Sequence, residues 1–293
     1  MRRLGGLAIG TSVRKASLVA ATFGPASARA VSVVIAGLHA IEWIGVETAL
    51  ALAERLAASP PIDRRVIVVA LANPDGYRAI EDDLWAGRRR FRRTNANGVD
   101  LNRNWATGFV PRRKWISAFN WPGVAPSSEP EVAAILRVLD AELAAGAAID
   151  TALSLHSFGR KLLVPYGSRW RRPERYRELL DRARRIQARL AEPYSIDQVS
   201  RWIPGAFANG IEIDDLHDRY GACALLVECS LGGLSPDPAT WLAPFRWFNP
   251  RRPSRVADDI ARAVEPFVRG LDLGRVPAGL AAIAERTPRE QLE

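Results

Sequence analysis

Lysine, histidine, cysteine and long apolar runs are all scarce in this chain. Of 41 basic residues only three are lysines, a bias towards arginine that usually records genome composition and would also suit acidic partners. No stretch of about 18 uncharged apolar residues occurs, so the sequence predicts no membrane span. Cys223 and Cys229 lie in one apolar run, and an extended run would hold them too far apart for a disulfide. We expect two buried thiols, which are compatible with a reducing compartment.

Two basic segments could indicate a nucleic-acid partner and a signal peptide, but the sequence supports each of these interpretations only weakly. The net charge is +9, and the run GRRRFRRT at 87–94 could bind phosphates. Dispersed basic residues usually form a solvated face, however, and we expect no nucleic-acid partner. The N-terminus has some features of a signal peptide, but Arg14 and Lys15 interrupt its apolar patch. Residues 12–24 are better explained as a strand between turns, so we expect a cytoplasmic protein without a signal peptide.

What the chain does contain is enough apolar material for a sizeable core, with 48% hydrophobic residues and nine tryptophans. Apolar segments without clean alternation predict strands covered on both faces, at 31–37, 65–72, 150–156 and 224–230. Helical patterns separate or follow them, at 47–58, 128–145, 172–191 and 254–271, and Ser128 with Glu131 resembles a capping box. There is no internal repeat or convincing linker. We therefore predict a single α/β domain over residues 1–293, with 271–293 as a peripheral tail.

Polar residues follow several of these predicted strands. His39 follows the first strand, His156 ends the third and Glu228 lies near the end of the fourth. Ligands of open α/β sheets collect at the carboxyl ends of strands. His39, Glu42 and His156 form a His₂Glu set, the three-ligand arrangement of a catalytic zinc with one open position. A histidine at a strand end is more often a hydrogen-bonded core residue, so the spacing alone leaves this open.

The ordered set of motifs resembles the zinc carboxypeptidases of the M14 metallopeptidase family. The set comprises HxxEW at 39–43, NPDG at 73–76, FRRTNANGVDLNRNW at 91–105, SEPE at 128–131, LSLHS at 153–157, VPYG at 164–167 and VEC at 227–229. HxxE is a weak signal and NGVDLNRNW is a strong one. The resemblance covers about residues 9 to 271. It implies a three-layer α/β/α sandwich on a mixed, mostly parallel sheet of about eight strands.

The resemblance also implies a role for each matching residue. His39, Glu42 and His156 correspond to the ligands of one Zn²⁺ per chain, and Asp100 to the acid that fixes the tautomer of the first zinc histidine. Glu228 corresponds to the catalytic carboxylate, a general base towards the zinc-activated water. The remaining matches are Arg92 as the donor to the developing oxyanion, with Arg93 as the alternative, and Asn102 with Arg103 as the pair that binds the substrate's terminal carboxylate.

Some expected features are absent or altered. Ile41 stands where better-known members often have arginine, and residues 200–210 lack the family's mobile tyrosine, the nearest being Tyr194 and Tyr220. Aligned without gaps to Glu228, Ile213 falls at the position that lines the floor of the specificity pocket in the family, and the resemblance therefore implies apolar or aromatic terminal residues. Acids turned inward (Glu212, Asp214 or Asp215) would instead favour lysine or arginine. The sequence leaves this choice open.

The function implied by the resemblance is a metallocarboxypeptidase that hydrolyses the C-terminal peptide bond of peptides. Its substrate could be a protein, a small peptide or a cell-wall peptide. One alternative is a zinc amidohydrolase of the succinylglutamate desuccinylase and aspartoacylase type, acting on N-acyl amino acids. A more distant alternative is an inactive basic binding protein on a peptidase fold.

Overall fold

A computed structural model describes residues 1–117, 119–202, 205–233 and 240–271, apart from the side chain of Arg2. Its eight strands are β1 (Leu7–Thr11), β2 (Ser17–Phe23), β3 (Ala30–Ala36), β4 (Arg64–Val69), β5 (Ala148–His156), β6 (Lys161–Val164), β7 (Ser195–Gln198) and β8 (Cys223–Glu228). They form one sheet in the order β1-β2-β4-β3-β5-β8-β6-β7. The four segments predicted as strands became β3, β4, β5 and β8, which are the four central strands of the sheet.

The sheet is mixed, and its centre is parallel. Strand β3 pairs in parallel with both β4 and β5, and β5 pairs in parallel with β8. The antiparallel pairs are β1 with β2, β2 with β4, and β6 with β8, while β7 returns parallel to β6. The prediction of a mixed, mostly parallel sheet of about eight strands is confirmed. Three neighbouring parallel strands therefore end at one edge, which is where the sequence placed its polar residues.

Helices cover both faces of this sheet. They are α1 (Trp43–Ala58), α2 (Pro74–Trp85), α3 (Pro130–Ala144), α4 (Tyr176–Gln187), α5 (Val199–Trp202), α6 (Glu212–Tyr220), α7 (Pro244–Phe248) and α8 (Pro253–Val268). Within β3, Val34 and Ala36 join one apolar core with residues of α1, α4 and α8, whereas Val33 and Ile35 join a second core with residues of α3 and α6. Successive side chains of a strand point to opposite faces of the sheet. Because the residues of β3 are apolar at consecutive positions, the strand contributes to the core on each face. No helix in the described ranges has the length and apolar character needed to cross a membrane.

Three predicted helix starts needed correction, and the simplest case is α4, which begins at Tyr176 rather than at residue 172. Helix α1 begins at Trp43 rather than at residue 47, and Glu42 is its N-cap residue. Helix α3 begins at Pro130 with Glu129 as N-cap and no side-chain cap, so the predicted capping box does not form. Ser128 donates instead to the Glu129 carboxylate, and Glu131 accepts from the amide of Val13. Proline at the first helical position moved the start of the helix past the serine.

Two further predictions concern the cysteines and the C-terminal tail. Cys223 and Cys229 are free and buried, as expected. The predicted peripheral tail lies outside the described residues from position 272 onward.

Gly210 joins two loops that approach the sheet edge from different parts of the chain. Its φ is +66°, a left-handed conformation that glycine adopts without steric cost. Its carbonyl accepts from the Trp105 amide at 3.1 Å, and a Cβ at this position would lie 2.4 Å from the carbonyl oxygen of Arg103. The turn can therefore hold the 101–105 loop against the 208–212 loop only while residue 210 has no side chain.

We expect Gly210→Ala to lower the free energy of unfolding more than Gly87→Ala, which is a matched control. Gly87 has the same φ of +66° but no atom within 4 Å of an added Cβ. The control should cost about 1 kcal/mol for its backbone conformation alone, and Gly210→Ala at least about 1 kcal/mol more because Arg103 must move. Denaturant unfolding of both variants measures this, and equal losses would contradict the close approach.

Candidate metal centre and active-site cavity

Three neighbouring strands and one helix start bring polar side chains to a single point. His156 is the last residue of β5 and Glu228 the last of β8, and the two are direct partners in the parallel register. His39 lies three residues beyond the end of β3, and Glu42 caps α1. All four side chains are at least nine-tenths buried. The sheet order β3-β5-β8 thus assembles residues that are far apart in the sequence.

Glycine at position 45 lets α1 approach β5 closely enough for Glu42 to reach His156. A Cβ on Gly45 would lie 2.6 Å from the carbonyl oxygen of Leu155, closer than such contacts occur. The Glu42 carboxylate then lies across the end of β5, where Oε2 accepts from the Ser157 amide at 3.1 Å. Glu42 is the N-cap residue of α1, but its side chain makes no capping hydrogen bond to that helix. The carboxylate is directed at the sheet edge instead.

The side chains of His39, Glu42 and His156 converge with ligand-like geometry. Glu42 Oε1 lies 2.9 Å from His39 Nδ1, and Oε2 lies 2.9 Å from His156 Nδ1. The two Nδ1 atoms are 3.0 Å apart, and the ligand atoms of all three residues fall within 4.8 Å of one another. One small cation could contact all three residues.

The outward ring nitrogens show that the cluster suits a cation. His39 Nε2 lies 3.0 Å from Asp100 Oδ1, and His156 Nε2 lies 2.9 Å from Glu212 Oε1. A carboxylate only accepts, so each Nε2 carries the ring hydrogen and each Nδ1 presents its lone pair inward. Two lone pairs and a carboxylate around one point repel one another unless positive charge lies between them. This donor set, two imidazoles held by second carboxylates and one glutamate, fits Zn²⁺.

The pKa values of His156 and Glu42 are both shifted in the direction that favours the charged form of the group. Burial alone would lower the pKa of His156, but the carboxylates of Glu212 and Glu42 raise it to about 10. Burial alone would raise the pKa of Glu42, but the two imidazoles lower it below the ordinary carboxyl range. Both shifts arise from carboxylates and imidazoles crowded at one buried point, where a cation would balance the carboxylate charge.

Glu228 has the environment of a proton acceptor beside that charge. Burial raises the pKa of Glu228 to about 8, Glu42 acts in the same direction, and His156 and Arg93 act against it. In the described part of the chain its Oε2 is buried without a hydrogen-bond partner. A divalent cation a few ångströms away would favour the carboxylate form.

The structure separates the two neighbouring arginines of the 91–94 segment. Arg92 turns away from the cluster, and its Nε donates to Asp83 at 2.5 Å. Arg93 turns toward it: its Nε donates to Asp100 Oδ2 at 2.8 Å, and one terminal nitrogen lies 3.5 Å from Glu42 Oε1. Arg93, and not Arg92, therefore lines the cavity at the metal cluster. The carboxylates of Asp100 and Glu42 raise the pKa of Arg93 against the effect of burial, so it stays charged.

Asn102 and Arg103 lie in the same cavity, in the short 3₁₀ turn Leu101–Arg103 that Asp100 caps. Asn102 Oδ1 accepts from the Glu212 amide at 3.0 Å, and its Nδ2 lies 3.3 Å from His156 Nε2. Arg103 donates to the carbonyl of Asn102. Burial lowers the pKa of Arg103, with Asp100 acting in the opposite direction. A half-buried guanidinium of this kind has few waters to lose when it binds an anion.

The cavity has a volume of about 490 Å³ and combines a charged end with apolar walls. The walls are formed by Phe158, Leu163, Val199, Trp202, Ala206, Phe207, Ala208, Ile211, Leu226 and Phe248. Ile213, the expected floor residue, is fully buried in the core between α6 and the sheet and does not line the cavity. Ile211, one residue before α6 begins, does. None of the five tyrosines, all in described parts of the chain, lines the cavity: Tyr194 donates to the Cys229 carbonyl and Tyr220 to Asp140.

Glu212 is the main feature that the sequence did not reveal. It was considered only as a specificity acid, yet it is fully buried and bound to His156 and to the Ser154 hydroxyl. Asp214 accepts from the amides of Gly167 and Ser168, and Asp215 from that of Thr107. These three acids occupy the first turn of α6, where the helix dipole favours negative charge. That acidic first turn was the only sequence signal available.

Comparison with known proteins agrees with this geometry. The sequence profile of the family described as zinc carboxypeptidase matches residues 6–219, nearly three quarters of the chain. The chain belongs to the zinc carboxypeptidase family. The matched range ends before Glu228, so the assignment of that residue rests on its place in the structure.

Individual members of this family are similar to the chain at modest sequence identity. Human carboxypeptidase A5 is 28% identical over 227 residues, which cover 72% of this chain and 51% of that protein. Carboxypeptidase A from Helicoverpa armigera has a TM-score of 0.74 at 20% identity, covering 96% of this chain and 69% of that one. The murein-tripeptide amidase MpaA from Escherichia coli O157 has a TM-score of 0.53 at 22% identity, covering 86% and 91%. The chain spans about half the length of the human relative, and the structural matches show the fold alone.

We expect Glu212→Gln to weaken zinc binding about 10- to 100-fold, because a carboxylate that orients a ligating histidine and raises its basicity supports affinity on that scale. Competition with a chromophoric chelator measures the affinity. Asp100→Asn, the corresponding change behind His39, should behave alike. Glu131→Gln, which alters a buried carboxylate away from both histidines, is the matched control. Unchanged affinity in Glu212→Gln would remove Glu212 from the metal centre.

Proposed function

We propose that this chain is a zinc-dependent metallocarboxypeptidase, which hydrolyses the C-terminal peptide bond of peptides and uses one Zn²⁺ held by His39, Glu42 and His156. The observation that supports it best is the composition of one cavity. The ligand cluster, the orphaned Glu228 carboxylate and the Asn102–Arg103 pair all line the same 490 Å³ space. Hydrolysis at a chain end requires these three elements together, whereas metal binding alone would require only the first.

The terminal carboxylate of the substrate is assigned to Asn102 and Arg103. A guanidinium presents a planar fork of donors that matches a carboxylate, and the Asn102 amide adds a neutral donor beside it. Both residues are fixed from behind: Asn102 by the Glu212 amide, and the whole turn by Asp100. Because the anchor lies in the cavity that also holds the metal cluster, the bond nearest the chain end is the one presented for cleavage.

Two residues of this chain move or stabilise charge at the scissile bond. Zinc, when bound, supplies a Lewis acid that polarises the scissile carbonyl and makes water more acidic. Glu228 accepts the proton of the attacking water and later delivers it to the leaving amine, a role that its raised pKa and unsatisfied oxygen suit. Arg93 replaces Arg92 as the donor to the developing oxyanion, because its guanidinium faces the cluster.

The terminal side chain would occupy the apolar part of the cavity. Leu163, Ile211 and Leu226 are buried at its walls, and Trp202 and Phe207 add aromatic surface. The acids that could have selected lysine or arginine are committed to His156 and to backbone amides. We therefore propose a preference for apolar or aromatic terminal residues.

The carboxylate anchor can be tested by comparing a short N-acylated peptide ending in phenylalanine with its C-terminal amide. Loss of a charge-assisted contact should cost about 2–4 kcal/mol, roughly 30- to 1,000-fold in kcat/KM. Arg103→Ala should narrow the gap between the two peptides, mostly by slowing the free acid. Arg103→Lys should also be impaired, because an ammonium cannot reproduce the fork.

Two controls for this experiment test the requirement for the metal and for Glu228 as the general base. A chelator should abolish activity and added Zn²⁺ restore it, while Glu228→Gln should reduce kcat at least ~10²-fold with zinc content unchanged. Equal rates on acid and amide would contradict the exopeptidase function. Activity confined to N-acyl amino acids would indicate the amidohydrolase alternative, and zinc binding without any hydrolysis would indicate an inactive binding protein.

A separate prediction follows from the opposite directions of the two arginines. Arg93→Ala should lower kcat by about 10²- to 10³-fold with bound zinc retained, as for other donors to an oxyanion. Arg92→Ala should stay within about threefold of the wild type, because it removes only a partly exposed ion pair to Asp83. Steady-state kinetics with parallel metal analysis decides between them. The reverse ranking would restore Arg92 to the site.

A further inference from the structure

Two arginine-rich segments remain outside the proposed mechanism, and the structure places them face to face. The first is Arg88–Arg90, which begins three residues after the end of α2, and the second is residues 246–255, which include the end of α7 and the start of α8. Both line one cleft of about 640 Å³. Its lining contains Arg88, Arg89, Arg90, Arg246 and Arg251 with a single carboxylate, Asp83. The basic run that the sequence analysis set aside as a solvated face therefore forms one wall of a built concavity.

Most of this positive charge is not neutralised by the protein. Asp83 is engaged by Arg88 at 2.7 Å and by Arg92. Within the described residues, Arg89, Arg90 and Arg246 form no ion pair with a carboxylate, and all three are exposed. A second cleft of about 620 Å³ on the other side of the 246–251 segment adds Arg252 and Arg255, whereas its Arg160 is paired with Glu192 at 3.0 Å. Like charges held together cost energy, so a ligand that brings negative charge here relieves repulsion as well as making contacts.

The cleft adjoins the active-site cavity. Phe91 follows Arg90, and its ring lies 5.8 Å from that of Phe248, which is a wall of the active-site cavity. Arg93 lies within the active-site cavity itself, three residues from Arg90. Successive Cα atoms are 3.8 Å apart, so the Cα atoms of these two arginines can be separated by no more than about 11 Å. Three or four residues of an extended peptide span that distance.

Asn249 links the cleft to the loop that carries the metal ligands. It lines the cleft, donates to the Ile41 carbonyl at 2.8 Å and accepts from the Ile44 amide at 2.9 Å, on either side of Glu42. The wall of the basic cleft and the metal centre are thus held together by direct hydrogen bonds. A ligand bound in the cleft lies at a defined distance from the scissile bond.

We infer that this cleft binds acidic side chains of the peptide substrate, upstream of the bond that is cleaved. The inference rests on the proposed function, in which the chain end is buried against Asn102 and Arg103. The buried residues Leu163, Ile211 and Leu226 close the cavity on that side, so the rest of the peptide leaves past the rim. Phe248 belongs to that rim and contacts Phe91, next to the arginines. Contiguity with a hydrolytic site favours the substrate itself over a separate nucleic-acid ligand.

The test uses three N-acetylated pentapeptides that share a C-terminal Ala-Phe and carry upstream Glu-Glu-Glu, Gln-Gln-Gln or Lys-Lys-Lys. The glutamate peptide should exceed the glutamine peptide about tenfold in kcat/KM at low ionic strength, and the lysine peptide should be poorest. At about 1 M salt, where charges are screened beyond ~3 Å, the differences should disappear. Acetyl-Ala-Phe is too short to reach the cleft and reports the proposed function alone.

The arginines are tested by Arg89→Ala/Arg90→Ala and by Arg246→Ala. Each should lower the glutamate-to-glutamine ratio by about three- to tenfold while leaving acetyl-Ala-Phe turnover unchanged. The matched control is Arg177→Ala/Arg184→Ala, which removes the same charge from two exposed arginines of α4 that have no carboxylate partner in the described structure. If the unmodified enzyme cleaves acetyl-Ala-Phe but has a glutamate-to-glutamine ratio of kcat/KM near one, the inference is overturned.

Equilibrium binding keeps this outcome separate from failure of the proposed function. Binding of a fluorescein-labelled glutamate pentapeptide to Glu228→Gln protein, followed by anisotropy, needs no turnover. Adding Arg89→Ala/Arg90→Ala to this protein should weaken binding of the labelled peptide. Adding the α4 control pair should leave the affinity unchanged. No peptide binding, combined with arginine-dependent binding of a single-stranded oligonucleotide, would assign the cleft to a nucleic acid and overturn the inference.

Discussion

Much of this structure follows from the need to place positive charge between two histidine lone pairs and a buried carboxylate. Asp100 and Glu212 fix the outward hydrogens of His39 and His156, so their Nδ1 atoms face each other at 3.0 Å. Around them lie four buried carboxylates (Glu42, Asp100, Glu212 and Glu228) and two guanidiniums (Arg93 and Arg103). A divalent cation balances that set. Burial and the neighbouring Glu42 raise the pKa of Glu228, and the carboxylates of Glu212 and Glu42 raise that of His156.

The fold supplies this arrangement through the order of its strands. Because β3, β5 and β8 are parallel neighbours, their carboxyl ends meet, and each contributes or precedes one polar residue at that edge. The surrounding glycines set the remaining distances, since Gly45 admits α1 against β5 and Gly210 holds the Arg103 loop in place. His156 thus lies at a strand end and Glu42 at a helix start, whereas His39, Asn102 and Arg103 lie in turns packed against the same sheet edge.

The sequence made some of these positions predictable and others not. The convergence of His39, Glu42, His156 and Glu228 could be anticipated because strand ends meet at one edge of the sheet, whereas the place of Asp100 was implied only by the family resemblance. Arg92 and Arg93 could not be ordered, since neighbouring side chains of an extended segment point to opposite sides and a one-residue error reverses them. Ile213 was misplaced for a related reason: its direction depends on where α6 begins, and helix starts are the least predictable boundaries. Glu212 acquires its role from that same helix start.

The distribution of charge bears on how the anionic end of the proposed peptide substrate would reach a site built from carboxylates. If the buried groups and a divalent cation balance, the centre itself exerts little long-range attraction. Attraction must then come from groups outside it, and the exposed arginines of the 88–90 and 246–255 segments lie at that edge of the cavity. A field of this kind raises encounter rates and falls with ionic strength. On the proposed function, the excess of arginine would have a physical role at one place, beside the rim of the cavity, while its abundance elsewhere needs no explanation beyond composition.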